Sequence, residues 1–148
     1  MNGPHAPALA VPPLRSSKLA LQIVIAVAGL VPVGAGLAGI GLGPAMAGHH
    51  GANAALDSHF AYLSGLLLAI GLAFWAAIPT IERRGAMVRL LTFLVVVGGL
   101  ARLISLARVG PPGGAMQWAL VMELGVTPAL CLWQWRLQRR MDGAAPPV

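Results

Sequence analysis

Residues 19–42 read LALQIVIAVAGLVPVGAGLAGIGL and contain no charged side chain. Lys18 precedes the stretch, and the next acidic or basic residue is Asp57. A helix rises about 1.5 Å per residue, so a segment of this length crosses the roughly 30 Å hydrocarbon core of a bilayer. The stretch therefore predicts a first membrane-spanning helix.

A cleaved signal peptide is the alternative interpretation of the same segment. Lys18 would be its basic start, and Ala45-Met46-Ala47 resembles a small-residue cleavage site. The apolar run is longer than the roughly 7–15 residues of a signal's apolar core, so a retained helix is the preferred interpretation.

The composition of the whole chain is that of a membrane protein. Of its 148 residues, 57% are hydrophobic and 9% are charged, and the mean hydropathy is +0.79. So few charges cannot form the polar shell that a soluble domain of this size needs. The net charge of +6 comes from residues at the ends of apolar segments, which argues against nucleic acid as a partner. Cys131 is the only cysteine, so no disulfide can form within the chain.

Three further apolar segments predict three more spans, at about residues 58–80, 87–106 and 116–136. They are separated by a loop over residues 43–57, a charged turn at 82–84 and a Gly/Pro-rich break at 110–114. The predicted fold is an all-α integral membrane four-helix bundle within residues 18–137. Residues 1–17 are expected to form a disordered arm, and residues 138–148 a basic and then Pro/Ala-rich tail.

Basic residues next to the predicted helix ends fall on one side of the membrane if four helices alternate in direction. Arg108 is the one basic residue near a helix end on the opposite side. Cytoplasmic loops carry an excess of Lys and Arg, so both chain ends are predicted to be cytoplasmic, in a bacterial inner membrane. The residues on the basic side are Arg15, Lys18, Arg83, Arg84, Arg89, Arg136, Arg139 and Arg140.

Small residues are expected to bring the helices together, since exclusion of water does not drive association inside a bilayer. In the second span a small residue recurs at every fourth position, which forms one stripe along the helix. This stripe is predicted to pack on the glycine-rich first span near Gly39 and Gly43, or to face a second copy of the chain or a partner membrane protein. Its members are Ala61, Gly65, Ala69, Ala73 and Ala77.

Arg102 and Glu123 are the two charges placed well inside apolar spans. An unpaired charge at such a position costs roughly 3 kcal/mol or more, so each is expected to have a partner. Both lie on the order of 10 Å below the outer surface when counted at 1.5 Å per residue. The sequence therefore predicts an Arg102–Glu123 pair between the third and fourth spans.

The predicted pair is expected to line a polar pocket in the outer half of the bundle. Gly98 and Ser105 share a helix face with Arg102, and Thr127 shares one with Glu123, by three- and four-residue spacing. Membrane lipids are the expected surroundings and partners of such a pocket. The start of the second span is predicted to supply a third wall, with Asp57, His59 and Tyr62.

No catalytic, metal or cofactor site is predicted. His49, His50 and His59 lack the four-residue spacing that places two imidazoles on one helix face. The chain also contains no glycine-rich phosphate loop, nucleophile elbow or pair of catalytic carboxylates.

The chain resembles a bacterial four-span inner-membrane family known as domain of unknown function DUF4345. The resemblance rests on DSHFAYLSG at 57–65, IER at 81–83, GGLARLIS at 98–105, and Glu123 followed by Pro128. It extends from the first span to the fourth and implies the four-span fold, but it brings no activity, substrate or cofactor. Ala61 departs from the family pattern, in which a basic residue is expected at this position.

The preferred functional hypothesis is a non-enzymatic membrane protein whose outer pocket binds a lipid or another lipophilic molecule, or docks a partner helix. One alternative is a small proton-coupled transporter that works as an oligomer, with Glu123 as its titrating group. A second is a membrane enzyme that acts on a lipid, with His59 and Asp57 as acid and base. A structural alternative is that Arg102 and Glu123 only fasten the last two spans together.

Overall fold

A computed structural model describes residues 14–143 and is helical apart from short connections, with no strand in this range. Four helical units in it are long and apolar enough to cross a membrane. This confirms the predicted all-α fold with four helices, as expected of a multi-pass membrane protein. The helices are α1 Leu14–Leu42, α2 Ala54–Ala77, α3 Gly85–Val109, and a last unit in which α4 Gly114–Val121 and α5 Thr127–Asp142 are joined by a π-helical turn, Met122–Val126.

The helices are longer than the sequence indicated. Helix α1 begins at Leu14 rather than Leu19, and α2 begins at Ala54 rather than Ser58. Asn53 explains the early start of α2, because its side chain accepts a hydrogen bond from the backbone N–H of Leu56 at 3.0 Å and so caps the helix. Helix α5 continues to Asp142, which makes the first part of the predicted tail helical. Residues 1–13 of the predicted arm and 144–148 of the tail lie outside the described residues.

The two ends of the bundle differ in character. One end, here called the basic end, contains the start of α1, the 3₁₀-helical segment Ile78–Arg83 that follows α2, the start of α3 and the last turns of α5. The other end, called the loop end, contains the connection over residues 43–53 and the turn over residues 110–113. The four helical units thus alternate in direction, as the prediction that places most basic residues on one side requires.

Helices α1 and α2 pack closely because α1 presents glycine to the backbone of α2. A Cβ atom placed on Gly36 would lie 2.7 Å from the backbone nitrogen of Leu68 and 2.8 Å from the carbonyl oxygen of Ser64. Gly39 lies against the side chain of Ser64, and Gly71 of α2 accommodates Val33. Close backbone approach through small residues is the usual way in which membrane helices associate.

The face of α2 that contacts α1 is not the predicted small-residue stripe. The contacting residues include Ser64 and Leu68, each one position away from a stripe residue, and a Cβ on Gly65 would meet nothing within 4 Å. Ala69 is exposed. A step of one residue turns a helix by about 100°, because 3.6 residues make one turn, so this small offset points Gly65 and Ala69 away from α1. Ala77, the last member of the stripe, is buried in the apolar core with Leu21 and Ile25 of α1.

The basic end is the most densely packed part of the protein. Pro79 breaks α2, and Thr80 has non-helical backbone angles, which interrupts the α-helical hydrogen-bond pattern in the segment Ile78–Arg83. Ile81 O keeps a long bond from the backbone N–H of Arg84, at 3.4 Å. Two glutamine side chains reach carbonyl groups of this segment from other helices: Gln22 of α1 donates to Ile78 O at 2.8 Å, and Gln134 of α5 donates to Ile81 O at 2.9 Å. Around them lies the apolar core of the molecule, with Leu21, Ile25, Ala77, Ile81, Val88 and Leu137 buried.

An ion pair adds to these contacts. The ammonium group of Lys18 lies 3.0 Å from Oε1 of Glu82, and so joins the first turns of α1 to the same broken segment. Helices α1, α3 and α5 therefore all meet around the residues that follow α2.

The loop end is much more open. Helix α4 has no buried residue. Within residues 14–143 it packs on α3 and has no extensive contact with α1 or α2. The last buried position of α3 toward this end is Gly99. Helices α1 and α2 form one hairpin, and α3 and the last helical unit form the other. The two hairpins are thus held together at the basic end and separate toward the loop end.

The packing of α1 on α2 predicts that two neighbouring glycines respond differently to the same substitution. Gly36→Ala is expected to lower the free energy of unfolding by about 1–3 kcal/mol, because the added methyl group meets the backbone of α2. Gly34→Ala is the matched control, since nothing lies within 4 Å of its Cβ, and it should leave stability unchanged or raise it by up to about 1 kcal/mol through helix propensity. Unfolding in mixed micelles followed by circular dichroism measures both; equal stabilities would contradict the packing.

The glutamine contacts at the basic end predict a second stability difference. Gln134→Leu is expected to destabilise the protein by about 1–3 kcal/mol, because the carbonyl of Ile81 loses its shorter hydrogen bond and keeps only the one from Arg84 N–H at 3.4 Å. Gln117→Leu provides the control, since Gln117 is exposed near the loop end and its bond to Pro112 O is open to solvent or headgroups. The same unfolding measurement applies, and a Gln134→Leu protein as stable as wild type would show that the contact is dispensable.

Candidate polar site

Arg102 of α3 and Glu123 of the π-helical turn form an ion pair at the loop-end half of the molecule. Nε of Arg102 lies 3.0 Å from Oε1 of Glu123, and the two side chains are 37% and 16% exposed. The structure thus brings together the two charges that the sequence placed at matching depth. Pairing reduces the cost of holding each charge within an apolar span.

Close approach of the two helices at the pair depends on Gly99. A Cβ placed on Gly99 would lie 2.7 Å from Cδ2 of Leu124 and 3.0 Å from Cβ of Glu123. Gly99 precedes Arg102 by about one helical turn, so the contact lies directly below the ion pair. Gly98, which was predicted to share the face of Arg102, makes no such contact, because a Cβ there would meet nothing within 4 Å.

The π-helical turn gives Glu123 its direction. Pro128 has no N–H, and in a regular α-helix its ring would collide with the carbonyl group four residues earlier, so a wider turn before it relieves the conflict. The N–H and the hydroxyl group of Thr127 both donate to Met122 O, the hydroxyl at 2.8 Å. Thr127 was predicted to line the pocket; its hydroxyl instead stabilises the turn that carries Glu123.

The pair leaves hydrogen-bonding capacity on both side chains. Nη1 of Arg102 donates to the sulfur of Met116 at 2.9 Å, and thioether sulfur is a weak acceptor. Oε2 of Glu123 is enclosed and has no hydrogen-bond partner among the described residues. Met116 could not be predicted as a site residue, because a methionine in an apolar span gives no sequence signal that it will contact a charge.

A cavity of about 320 Å³ lies beside the pair, between α3 and α4 and below the turn that joins them. Arg102 is the one charged side chain that lines it, and Ser105 and Met116 are further lining residues. Most of the other walls are apolar, with Leu106 and Leu120 on the two helices. The cavity therefore combines one guanidinium group with apolar surroundings.

The predicted third wall of the pocket does not form there. Asp57, His59 and Tyr62 are exposed, and none of them lines the cavity or bonds to the ion pair. Asp57 lies in the first turn of α2 and contacts the end of α1 at Gly43. The reason is that α2 packs on α1, whereas α4 packs on α3, so the head of α2 belongs to the other hairpin.

A second cavity, of about 340 Å³, lies between α1 and α2. It is lined by apolar residues and by Trp75, whose Nε1 donates to Ala26 O at 3.1 Å. No charged residue lines it, which makes it a useful comparison for the cavity at Arg102. Residues 14–143 contain no group of three His, Cys, Asp or Glu side chains that could hold a metal ion.

Comparison with known proteins gives one match. The model of the family described as "Domain of unknown function (DUF4345)" matches residues 20–134. No curated protein and no solved structure is significantly similar to the chain. Because the matched residues cover most of the 148-residue sequence, from the first span to the fourth, this protein belongs to the DUF4345 family.

Proposed function

We propose that the protein is a non-enzymatic membrane protein that binds a lipophilic ligand in the cavity between α3 and α4. The observation that carries the proposal is the composition of that cavity, in which the partly exposed guanidinium group of Arg102 stands among mostly apolar side chains. Ligand sites typically combine apolar walls with a few placed polar groups that set orientation.

The open side of the cavity supports a ligand that comes from the bilayer. Helix α4 has no buried residue and packs on α3, and Trp118 and Val121 on its surface are 68% and 52% exposed. A molecule dissolved in the hydrocarbon region reaches α4 without passing through another part of the bundle. The expected ligand is therefore a lipid or a similarly apolar molecule.

A purely structural role, in which the ion pair only joins the last two spans, accounts for less of the geometry. A fastener would be expected to use the hydrogen-bonding groups of both side chains, since unused polar groups in apolar surroundings cost free energy. Here one N–H of Arg102 is directed at a thioether, which is a weak acceptor. This feature favours a site that receives an additional polar group.

The proposal predicts that filling the cavity removes a bound ligand. Leu120→Trp places a large side chain in the cavity and keeps both residues of the ion pair, and it is expected to reduce lipid retained by the purified protein by about tenfold or more. Val27→Trp is the matched control, because it fills the similar-sized cavity between α1 and α2, and it should retain lipid like wild type. Native mass spectrometry of the protein after detergent exchange measures the bound species.

Circular dichroism of each variant establishes that it is folded before binding is compared. Loss of lipid from both tryptophan variants to the same extent would mean that lipid covers the protein surface generally. A wild-type protein that carries no lipid and takes up none when lipid is added would contradict the proposed function outright.

We also propose that the protein lies in a bacterial inner membrane with its basic end toward the cytoplasm. The support is the concentration of Lys and Arg at that end and the positive-inside rule. The loop end, with the cavity at Arg102, would then face the periplasm.

This orientation predicts which engineered cysteines react with a membrane-impermeant maleimide. In a Cys131→Ala background, His50→Cys in the connection after α1 should be labelled in cells with a permeabilised outer membrane, and Arg84→Cys only after lysis. Both residues are exposed in the structure, so their accessibility depends on the side of the membrane alone. The reverse labelling pattern would place the basic end outside.

A further inference from the structure

We propose, building on the proposed ligand site, that its ligand is an anionic lipid whose headgroup phosphate binds the outer edge of the Arg102 guanidinium in place of Met116. The inference deepens the proposed function by naming the class of ligand and the atoms that recognise it. It depends on which of the five N–H groups of Arg102 already have a hydrogen-bond partner in the protein.

Glu123 leaves the Nη1–Nη2 edge of the guanidinium group, where Met116 contacts Nη1, for a ligand that displaces the methionine. The Nε–H faces Glu123 at 3.0 Å, and Nη1 donates to Met116 at 2.9 Å. The second N–H of Nη1 and both N–H groups of Nη2 have no protein partner among the described residues. The Nη1–Nη2 edge presents two parallel donors, which is the geometry that binds phosphate oxygens in pairs.

Met116 is suited to leave when an anion arrives. Its sulfur is a weak acceptor, and its unbranched side chain has three rotatable bonds, so it changes position at little cost. An ionised phosphate oxygen forms a stronger, charge-assisted hydrogen bond with the same N–H. The thioether thus accepts a hydrogen bond from Nη1 of Arg102 but competes only weakly with a phosphate oxygen for it.

The charges around the cavity favour an anion over a zwitterion. Arg102 is the one charged side chain that lines the cavity, and Glu123 contacts its Nε on the other side. Glu123 therefore acts as a positioning residue that orients the guanidinium group. A headgroup that carries its own cation would bring that cation close to Arg102, where like charges repel in surroundings of low dielectric constant.

The size of the cavity indicates which part of the lipid enters. Its volume of about 320 Å³ is at the small end of the range of roughly 300–1,000 Å³ found for ligand pockets. Arg102 precedes Gly110 by eight residues, or about 12 Å along the helix at 1.5 Å per residue. The cavity thus has room for a headgroup that reaches Arg102 from the membrane surface, while the acyl chains remain in the bilayer beside α4.

The test compares phosphatidylglycerol with phosphatidylcholine that has the same acyl chains, by native mass spectrometry of the full-length protein. Wild type is expected to bind phosphatidylglycerol about tenfold more tightly. Met116→Leu should keep or increase this preference, because it removes only the weak acceptor. Arg108→Gln is the control, since it removes an exposed loop-end charge outside the cavity and should leave the preference unchanged.

Removing Arg102 alone would leave Glu123 without its partner and could unfold the protein. The double variant Arg102→Gln/Glu123→Gln keeps two side chains that can hydrogen-bond to each other, and it should bind both lipids equally. The single variant Glu123→Gln should still prefer phosphatidylglycerol, because Arg102 remains. Circular dichroism again serves as the folding check.

The outcomes separate this inference from the proposed function. Equal binding of the two lipids by wild type, with both weakened by Leu120→Trp, would overturn the anionic-lipid inference and leave the ligand cavity intact. Failure of wild type to bind either lipid would overturn both. Displacement of phosphatidylglycerol by inorganic phosphate alone would assign the site to a free anion rather than a lipid headgroup, and would also overturn the inference.

Discussion

The arrangement of the helices depends on which side chains donate hydrogen bonds to the carbonyl groups at the broken end of α2. Pro79 interrupts the helix, and the carbonyl groups of Ile78 and Ile81 receive hydrogen bonds from Gln22 of α1 and Gln134 of α5. A carbonyl left unpaired away from water costs free energy, so these contacts bring three helices to one place. The buried apolar side chains of the protein cluster around the same segment. The basic end therefore holds the two hairpins together, and the loop end is free to differ.

The candidate site occupies the half of the molecule that this arrangement leaves open. Helix α4 packs on α3, and Gly99 beneath the ion pair allows α3 to approach Glu123 and Leu124 of the π-helical turn that follows α4. The π-helical turn before Pro128 then directs Glu123 at Arg102. Rigid packing at one end and a polar pair beside a cavity at the other give the protein separate regions for stability and for ligand recognition. This separation means that substitutions in the cavity can be tested with little effect on the main apolar core.

The polar contacts at the two ends contrast in a way that bears on function. At the basic end, Gln134 is fully buried, and its amide nitrogen donates to Ile81 O and to Gln138, although its Oε1 has no hydrogen-bond partner among the described residues. At the loop end, Arg102 is partly exposed and contacts a methionine sulfur, a poor acceptor for a charged donor. A charged group within a membrane span is costly to maintain, so incomplete use of its donors points to a role in binding.

The four helices and their order could be predicted from the residues, because long uncharged segments and charged or Gly/Pro-rich breaks mark membrane spans independently of how the helices pack. The similar depth of Arg102 and Glu123 was predictable too, since depth follows from counting residues along a helix. The direction in which each helix faces became clear from the packing of the folded chain. Span sequences that are apolar on all sides give little rotational signal, and one residue turns a helix by about 100°. That is why Gly65 and Ala69 of the small-residue stripe lie away from α1, why Gly99 rather than Gly98 meets the last helix, and why His59 and Tyr62 are exposed instead of lining the cavity.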